Sequence, residues 1–110
     1  MKRYCFALDL YDDPDLIKSY DEWHRQVWPE IIESIQSAGI EDMKIYRVHN
    51  RLFMVMEVNE QFSFEAKTVS DKANPKVQEW EQLMWKFQQP LPFAKPGEKW
   101  LLMNEIFSLK

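Results

Sequence analysis

Apolar and polar residues alternate over the first ten positions of the chain, a pattern typical of a β-strand with one face in the core. The apolar side consists of every second residue, namely Tyr4, Phe6, Leu8 and Leu10. We therefore predict a first strand from Lys2 to Leu10. Asp13, Pro14 and Asp15 follow it closely. An acidic cap, a proline in the first turn and a further acid favour the start of a helix.

The next apolar residues recur every three or four positions, which predicts a helix with one buried face. They are Leu16, Tyr20, Trp23, Val27, Ile31 and Ile35. Pro29 lies inside this pattern and predicts two helical pieces with a bend between them. Gly39 suits a left-handed cap at the end of the second piece. Because the break falls one turn after His24, we expect free carbonyls or an open pocket beside that residue.

Two further strands are predicted at Met43–His49 and Leu52–Val58, joined by a short turn. Asn50 lies in that turn, and asparagine tolerates a positive φ, so the pair is expected to form a hairpin.

The last third of the chain predicts a short helical turn at Ser63–Ser70 and a longer helix that opens at Asn74 and Pro75. The longer helix has an apolar stripe of Val77, Trp80, Leu83, Met84 and Phe87. It must end before Pro90. A loop at Phe93–Lys99 and a final strand at Trp100–Leu109 follow.

This order of elements, β-α-β-β-α-β, predicts an α+β fold of the ferredoxin-like type in a single domain, residues 1–110. Helices of this arrangement cover only one face of the sheet. The other face keeps large apolar residues, which a monomer rarely exposes. We therefore expect a homodimer that pairs the open sheet faces into a dimeric α/β barrel.

The bulk composition excludes several classes of protein. The net charge is −4 and lysine and arginine do not cluster, so a nucleic-acid partner is not expected. No stretch approaches the roughly 20 apolar residues that span a bilayer. Asp9 interrupts the apolar run near the start, which argues against a signal peptide. A lone Cys5 allows no internal disulfide, in keeping with an expected cytoplasmic location.

Candidate chemistry concentrates at Tyr20 and His24, which lie four residues apart and would share one helix face. Trp23 and Trp28 flank them, giving a surface suited to a sugar. An alternative interpretation is that these side chains only pack the helix. His24 and His49 are the only histidines, and no spacing resembles a metal site, a phosphate-binding loop or a nucleophile motif. We therefore expect no metal and no cofactor, which leaves proton transfer and binding.

The segment Tyr20–Glu30 reads Tyr-x3-His-x3-Trp-Pro-Glu, and it resembles the L-rhamnose mutarotase family. The similarity extends over essentially the whole chain, through Gly39, Leu52–Glu57, Trp80 and Glu105–Phe107. The resemblance implies a dimer of ferredoxin-like units. It also implies a cofactor-free isomerase that interconverts the α and β anomers of a 6-deoxyhexose.

The resemblance assigns roles to individual residues. His24 matches the proton donor, Tyr20 matches a sugar-contacting tyrosine, and Trp80 matches the first residue of a tryptophan pair that lines the sugar. Two positions depart from the family pattern: Glu81 replaces the second tryptophan, and Met43 replaces a tyrosine. Both departures fall in the implied pocket, so L-fucose rivals L-rhamnose as the substrate.

In the implied reaction the ring oxygen of the sugar gains a proton while the anomeric hydroxyl loses one. A group that titrates near neutral pH suits both transfers, which favours His24. Tyr20 would orient a hydroxyl or share the proton transfer. Trp80 and Trp28 would shape the apolar side of the pocket.

Two other classes remain open from the residues. One is a non-catalytic module that binds a small ligand on the same dimeric scaffold. The other is a cofactor-free monooxygenase or a haem-degrading enzyme, because this fold hosts both.

Overall fold

The computed structural model describes all 110 residues and shows an antiparallel sheet with helices on one face. In chain order the elements are β1 (Lys2–Leu10), α1 (Pro14–Trp23), α2 (Pro29–Ser37), β2 (Ile40–Val48), β3 (Arg51–Val58), α3 (Phe64–Ala73), α4 (Pro75–Trp85), β4 (Gln88–Gln89) and β5 (Leu101–Leu102). The predicted α+β class and the order β-α-β-β-α-β are confirmed, with the last strand divided in two.

The sheet has the strand order β2-β3-β1-β4, and β5 also pairs with β1. Since β3 occupies one edge of β1, both short strands share the other edge. Gln88 lies opposite Leu10, and Leu101 lies opposite Ala7. Together β4 and β5 fill the fourth position of a ferredoxin-like sheet, interrupted by residues 90–100.

The predicted final strand from Trp100 to Leu109 is wrong over most of its length. Only Leu101–Leu102 are strand, and the pairing ends with a hydrogen bond from the Met103 amide to the Cys5 carbonyl at 2.8 Å. The remaining residues leave the sheet, although Lys2–Tyr4 at the start of β1 have no other strand on this edge. Alternation shows that a segment can be a strand, but it does not show how far the pairing extends. Strand β4 was not predicted, because two residues are too few to show a pattern.

The hairpin turn also differs in detail from the prediction. His49, and not Asn50, has the positive φ, at 50°. Asn50 instead ties the turn to β1, because its Nδ2 donates to the Leu10 carbonyl at 3.1 Å and its own carbonyl accepts from the Leu10 amide at 2.7 Å. Strand β2 begins earlier than expected, at Ile40, with an irregularity between Ile40 and Asp42. The spacing of residues within the turn does not indicate these contacts with β1, because the two segments are far apart in sequence.

The helix boundaries follow their capping residues. The Asp13 side chain accepts hydrogen bonds from the amides of Asp15 and Leu16 and caps α1. The predicted short turn near Ser63 is a full helix, α3, because the Ser63 hydroxyl caps it. Asn74 caps α4 in the same way as Asp13 caps α1. The break before Pro29 is confirmed, since α1 ends at Trp23 and α2 begins at Pro29.

The main core lies between the sheet and helices α1, α2 and α4. Its buried residues are Leu8, Leu10, Ile17, Tyr20, Ile31, Leu52, Val77, Trp80, Met84 and Phe87. The opposite face of the sheet is uncovered: Phe53 and Tyr46 form a cross-strand pair there and are 36% and 55% exposed. None of the helices is both long enough and apolar enough to span a lipid bilayer.

Gly39 provides a direct test of this architecture. It joins α2 to β2 with a φ of +95°, and a Cβ there would lie 2.5 Å from the Asn59 Oδ1. That oxygen accepts from the Gln61 amide at 3.0 Å, so moving it away from the added Cβ breaks this hydrogen bond. Gly39→Ala should lower the free energy of unfolding by about 2–3 kcal/mol in urea titrations.

Gly97→Ala is the matched control, because Gly97 also has a positive φ but no atom within 4 Å of the added Cβ. We expect a loss of about 1 kcal/mol there. Equal losses in the two variants would contradict the close contact with Asn59.

Candidate active site

A cavity of about 570 Å³ lies between the helices and the sheet. Five of the six site residues predicted from the sequence line it, namely Tyr20, His24, Met43, Trp80 and Glu81. The sixth, Trp28, does not line the cavity. Its ring packs against Trp80 with the centroids 5.1 Å apart at 70°, so it supports the cavity wall from behind.

The rings of Tyr20 and His24 lie side by side, with their centroids 4.3 Å apart. A backbone carbonyl has two lone pairs and can accept two hydrogen bonds. Here the Tyr20 carbonyl accepts from the His24 amide at 3.3 Å and is also bonded to the His24 Nδ1 at 2.8 Å. Helix α1 ends here, and the imidazole binds a carbonyl of its last turn that already has a backbone partner.

This hydrogen bond determines which nitrogen of His24 carries the proton. A carbonyl oxygen can only accept, so Nδ1 must donate to it. In the neutral imidazole the other nitrogen, Nε2, then has a lone pair. The ring is therefore held in the tautomer that offers Nε2 as a proton acceptor.

Burial sets the charge of both side chains. It lowers the pKa of His24, although the Tyr20 carbonyl and the Asp21 carboxylate partly oppose this shift. Near pH 7 the imidazole is thus neutral. Burial also raises the pKa of Tyr20 to about 12. The phenol therefore keeps its proton and can act as a hydrogen-bond donor.

Trp80 forms the wall against which these side chains pack. It is 9% exposed, and its ring meets the His24 ring at 5.7 Å in an edge-to-face arrangement. Trp23 contacts its other side at 6.4 Å. Helix α4 thereby packs against the imidazole at the C-terminal cap of α1.

Glu81 and Met43, the two departures from the family pattern, line other parts of the cavity. The Glu81 carboxylate has one long hydrogen bond, from the Gln78 Nε2 at 3.5 Å, so it retains capacity to accept more. Lys99 donates to the Glu81 carbonyl at 3.1 Å. The Lys99 ammonium lies 4.4 Å from the Trp85 ring, and burial lowers its pKa. This side of the cavity is polar where a second tryptophan would be flat and apolar.

Sequence reasoning missed Gln88, which also lines the cavity. It is 3% exposed and is the only buried polar residue of the chain. Its Nε2 donates to the Tyr20 hydroxyl over a long 3.4 Å, and its Oε1 has no partner. An unpaired buried polar atom costs roughly 1–3 kcal/mol. No local signal marks this residue, because its strand is only two residues long.

A second polar group missed by sequence reasoning lies at another part of the cavity wall. Lys67 bridges the Ser34 hydroxyl at 3.2 Å and the Asp71 carboxylate at 2.5 Å. All three residues line the cavity. They come from α2 and α3, so only the packing of those helices unites them. Because these side chains bond to one another, their charges are largely compensated.

An ion pair outside the cavity holds α1 against the sheet. The Arg47 guanidinium binds both carboxylate oxygens of Asp21, at 2.9 and 2.6 Å. Such two-point contacts fix geometry as well as charge. Asp21 follows Tyr20 in the chain, so the pair restrains the turn of helix that carries the phenol. The other histidine, His49, is exposed and does not line the cavity, and its ring is bonded to Asp12 at 2.7 Å.

Known proteins resemble this chain over its whole length. The family model described as L-rhamnose mutarotase matches residues 3–109. An L-fucose mutarotase from Xanthomonas campestris pv. campestris is 48% identical over 99% of this chain and 89% of its own length.

Two solved structures share the fold. The L-rhamnose mutarotase of Formosa agariphila superposes with a TM-score of 0.72 at 22% identity and full coverage of both chains. A dimeric ferredoxin-like protein from an uncultured marine organism has a TM-score of 0.55 at 12% identity, covering 84% of this chain and 95% of the other.

The ferredoxin-like sheet, the imidazole–phenol cavity and these matches define a sugar mutarotase, an isomerase that interconverts anomers. The chain belongs to the L-rhamnose mutarotase family, as its sequence pattern predicts.

The state of His24 can be measured directly. Nitrogen-15 NMR of the imidazole should show the tautomer protonated at Nδ1, with a titration midpoint below the ordinary value of about 6.5. The reason is that the Tyr20 carbonyl fixes the proton while burial disfavours the cation. His24→Gln removes the resonance and allows it to be distinguished from His49. A ring protonated at Nε2, or a raised midpoint, would contradict the described geometry.

Proposed function

We propose that this chain interconverts the α and β anomers of L-fucose, with His24 as the catalytic residue. The observation that carries the proposal is the hydrogen bond from the His24 Nδ1 to the Tyr20 carbonyl. It leaves a basic Nε2 on a cavity wall, beside a phenol that keeps its proton. Proton transfer at a hydroxylated ligand needs this combination of acceptor and donor.

The size of the cavity and its lining support a monosaccharide. Small-molecule sites have volumes of roughly 300–1,000 Å³, with mostly apolar walls and a few placed polar groups. The 570 Å³ cavity has 13 hydrophobic residues among the 23 that line it. Trp80 offers an aromatic surface for the C–H face of a sugar or for the methyl group of a 6-deoxyhexose.

L-Fucose is preferred over L-rhamnose for two reasons. Almost half of the chain is identical to a protein named L-fucose mutarotase. The sugars also differ in the orientation of hydroxyls around the ring, so a change of substrate requires different polar groups on the wall. Glu81 adds a carboxylate where the family pattern has tryptophan, and Met43 removes a phenol. Both residues line the cavity.

The mechanism follows from the tautomer. The His24 Nε2 takes the proton of the anomeric hydroxyl, and the electron pair of that O–H bond forms the aldehyde carbonyl. The bond between C1 and the ring oxygen breaks, and the ring oxygen receives the same proton back from the imidazolium. The anomeric oxygen and the ring oxygen are both bonded to C1, so the His24 Nε2 can exchange a proton with each of them in turn. Rotation about the C1–C2 bond and the reverse steps close the ring on the other face.

In this mechanism Tyr20 and the tryptophans orient the sugar. The Tyr20 hydroxyl donates to a sugar oxygen and holds it near Nε2. Trp80 packs on the apolar side of the sugar, and Trp28 supports Trp80. Excluding water strengthens these interactions and makes the proton transfer more direct.

His24→Ala tests the catalytic assignment. General acid–base assistance contributes roughly 10²–10⁴-fold, so we expect the rate of anomer exchange to fall at least about tenfold. Saturation-transfer NMR on L-fucose and on L-rhamnose measures it against the spontaneous rate. His49→Ala is the matched control and should leave exchange unchanged, because His49 lies in an exposed turn. Unchanged exchange in His24→Ala would remove His24 from the mechanism. Sugar binding without exchange in the wild-type protein would favour the non-catalytic alternative.

The pH profile tests the direction of proton transfer. If neutral His24 is the active form, the rate rises as pH increases through a pKa below about 6.5 and is then level near neutral pH. Exchange measured from about pH 4.5 to about pH 7.5, corrected for the uncatalysed reaction, shows this limb. A rate that instead rises towards low pH would mean that the imidazolium starts the reaction.

We also propose that two copies pair through the open face of the sheet. The face exposes Phe53, Tyr46 and Val48, and the tail beyond β5 exposes Ile106 and Phe107 at 96% and 76%. Pairing would remove these large apolar side chains from water, and large exposed apolar patches commonly mark an interface. A second copy presents the same apolar face under two-fold symmetry, and a structural neighbour of this fold is described as dimeric.

Sedimentation equilibrium checks this pairing. The wild-type chain should have the mass of two 13.4 kDa chains. Phe53→Lys places a charge in the centre of the open face and should shift the mass towards a single chain at micromolar concentration. Val69→Lys, on the exposed surface of α3, is the matched control and should remain paired. A wild-type mass of one chain would refute the homodimer.

A further inference from the structure

Gln88 occupies a position where an apolar residue would be expected. It is paired with Leu10 across the edge of the sheet and follows Phe87, and both of these neighbours are buried apolar residues. Its side chain is on the helix-facing side of the sheet and lines the same cavity as Tyr20 and His24. A polar side chain is rarely kept in such surroundings without partners for all its groups.

The hydrogen-bond inventory of this amide is incomplete. A glutamine side chain has two N–H donors and an oxygen that accepts. The Nε2 reaches the Tyr20 hydroxyl at 3.4 Å, which is longer than the usual range. The Oε1 has no partner, and it is the only buried side-chain polar atom of the chain in this state. Exchanging the two amide atoms would leave the nitrogen without a partner instead, so the deficit persists in either orientation.

The hydrogen bond between Gln88 and Tyr20 determines which of the two side chains can donate to a ligand and which can accept from it. When the Gln88 Nε2 donates to the phenol oxygen, the phenol proton is free to be donated to a third group. A donor onto a hydroxyl also strengthens that hydroxyl as a donor, because the bonds polarise one another. Gln88 and Tyr20 together present one acceptor and one donor. A single sugar hydroxyl has both complementary functions.

We propose that Gln88 is a sugar-binding residue, whose amide oxygen accepts a hydrogen bond from one ring hydroxyl while its amide nitrogen holds the Tyr20 hydroxyl towards the same sugar. This inference rests on the proposed function and extends it to a residue of the divided fourth strand. The unpaired amide is satisfied only when the sugar is bound. Gln88 thereby couples recognition of one hydroxyl to the orientation of the phenol beside His24.

Gln88→Met is the informative variant, because methionine has similar length and no hydrogen-bonding amide. We expect its dissociation constant for L-fucose, measured by calorimetric titration, to rise about tenfold. Its resistance to urea should be equal to or higher than that of the wild type, since an unpaired buried group has been removed. Gln89→Met is the matched control on the same strand, and it should bind as the wild type does because Gln89 is exposed.

Monodeoxy sugars separate binding from a structural role. The wild type should bind one of the 2-, 3- and 4-deoxy analogues of L-fucose about tenfold more weakly than L-fucose itself, through loss of the hydroxyl that Gln88 contacts. In Gln88→Met that penalty should disappear, while the affinities for the other two analogues relative to L-fucose should be the same as in the wild type. If the variant binds L-fucose as tightly as the wild type, or if it weakens all sugars equally with the penalties intact, the inference is overturned.

The same measurements distinguish this inference from the proposed function. Absence of anomer exchange with both sugars in the wild-type protein would overturn the proposed function. Normal exchange in the wild type together with unchanged binding by Gln88→Met would overturn only the role of Gln88.

Discussion

The hydrogen bond between the His24 Nδ1 and the Tyr20 carbonyl is the constraint on which the rest of the site depends. The carbonyl lies in the last turn of α1 and also accepts from the His24 amide, so the imidazole binds its second lone pair. The bond fixes the imidazole tautomer, so Nε2 is the nitrogen that keeps a lone pair. It also holds the imidazole against the Tyr20 ring. One main-chain oxygen thus restrains the imidazole and selects its tautomer.

Burial then gives these two side chains complementary properties. The same apolar surroundings lower the pKa of the imidazole and raise that of the phenol to about 12. Both shifts favour the neutral form. One side chain becomes an available base, and the other becomes a permanent donor. Burial in a cavity lined by Trp80 and neighbouring aliphatic residues accounts for both pKa shifts.

Much of the fold could be predicted because its determinants are local. Alternation in β1, the caps at Asp13 and Asn74, and Pro29 mark their elements within a few residues. The meeting of Tyr20 and His24 was likewise predictable, because helical spacing alone brings such residues together. Their roles came from the family resemblance and stay predictions.

The remaining features depend on contacts between distant segments. Gln88 joins the cavity only because its two-residue strand finds the edge of β1 opposite Leu10. The tail after Leu102 has the alternation of a strand, yet it leaves the edge of β1 on which Lys2–Tyr4 have no other partner. The positive φ at His49 was assigned to Asn50, because residue preference indicates which side chain tolerates that conformation and not where the turn needs it. In each case the deciding partner is remote in sequence.

The division of the fourth strand places part of the cavity wall on a segment outside the sheet. Residues 90–100 leave the sheet between β4 and β5, and cavity residues lie on both sides of this excursion, Gln88 before it and Lys99 and Trp100 at its end. Insertions or deletions in the excursion can reshape that wall while the helix carrying the imidazole is left untouched. On the proposed mechanism, changes in this wall alter the contacts offered to a ligand without altering the hydrogen bond that holds the imidazole.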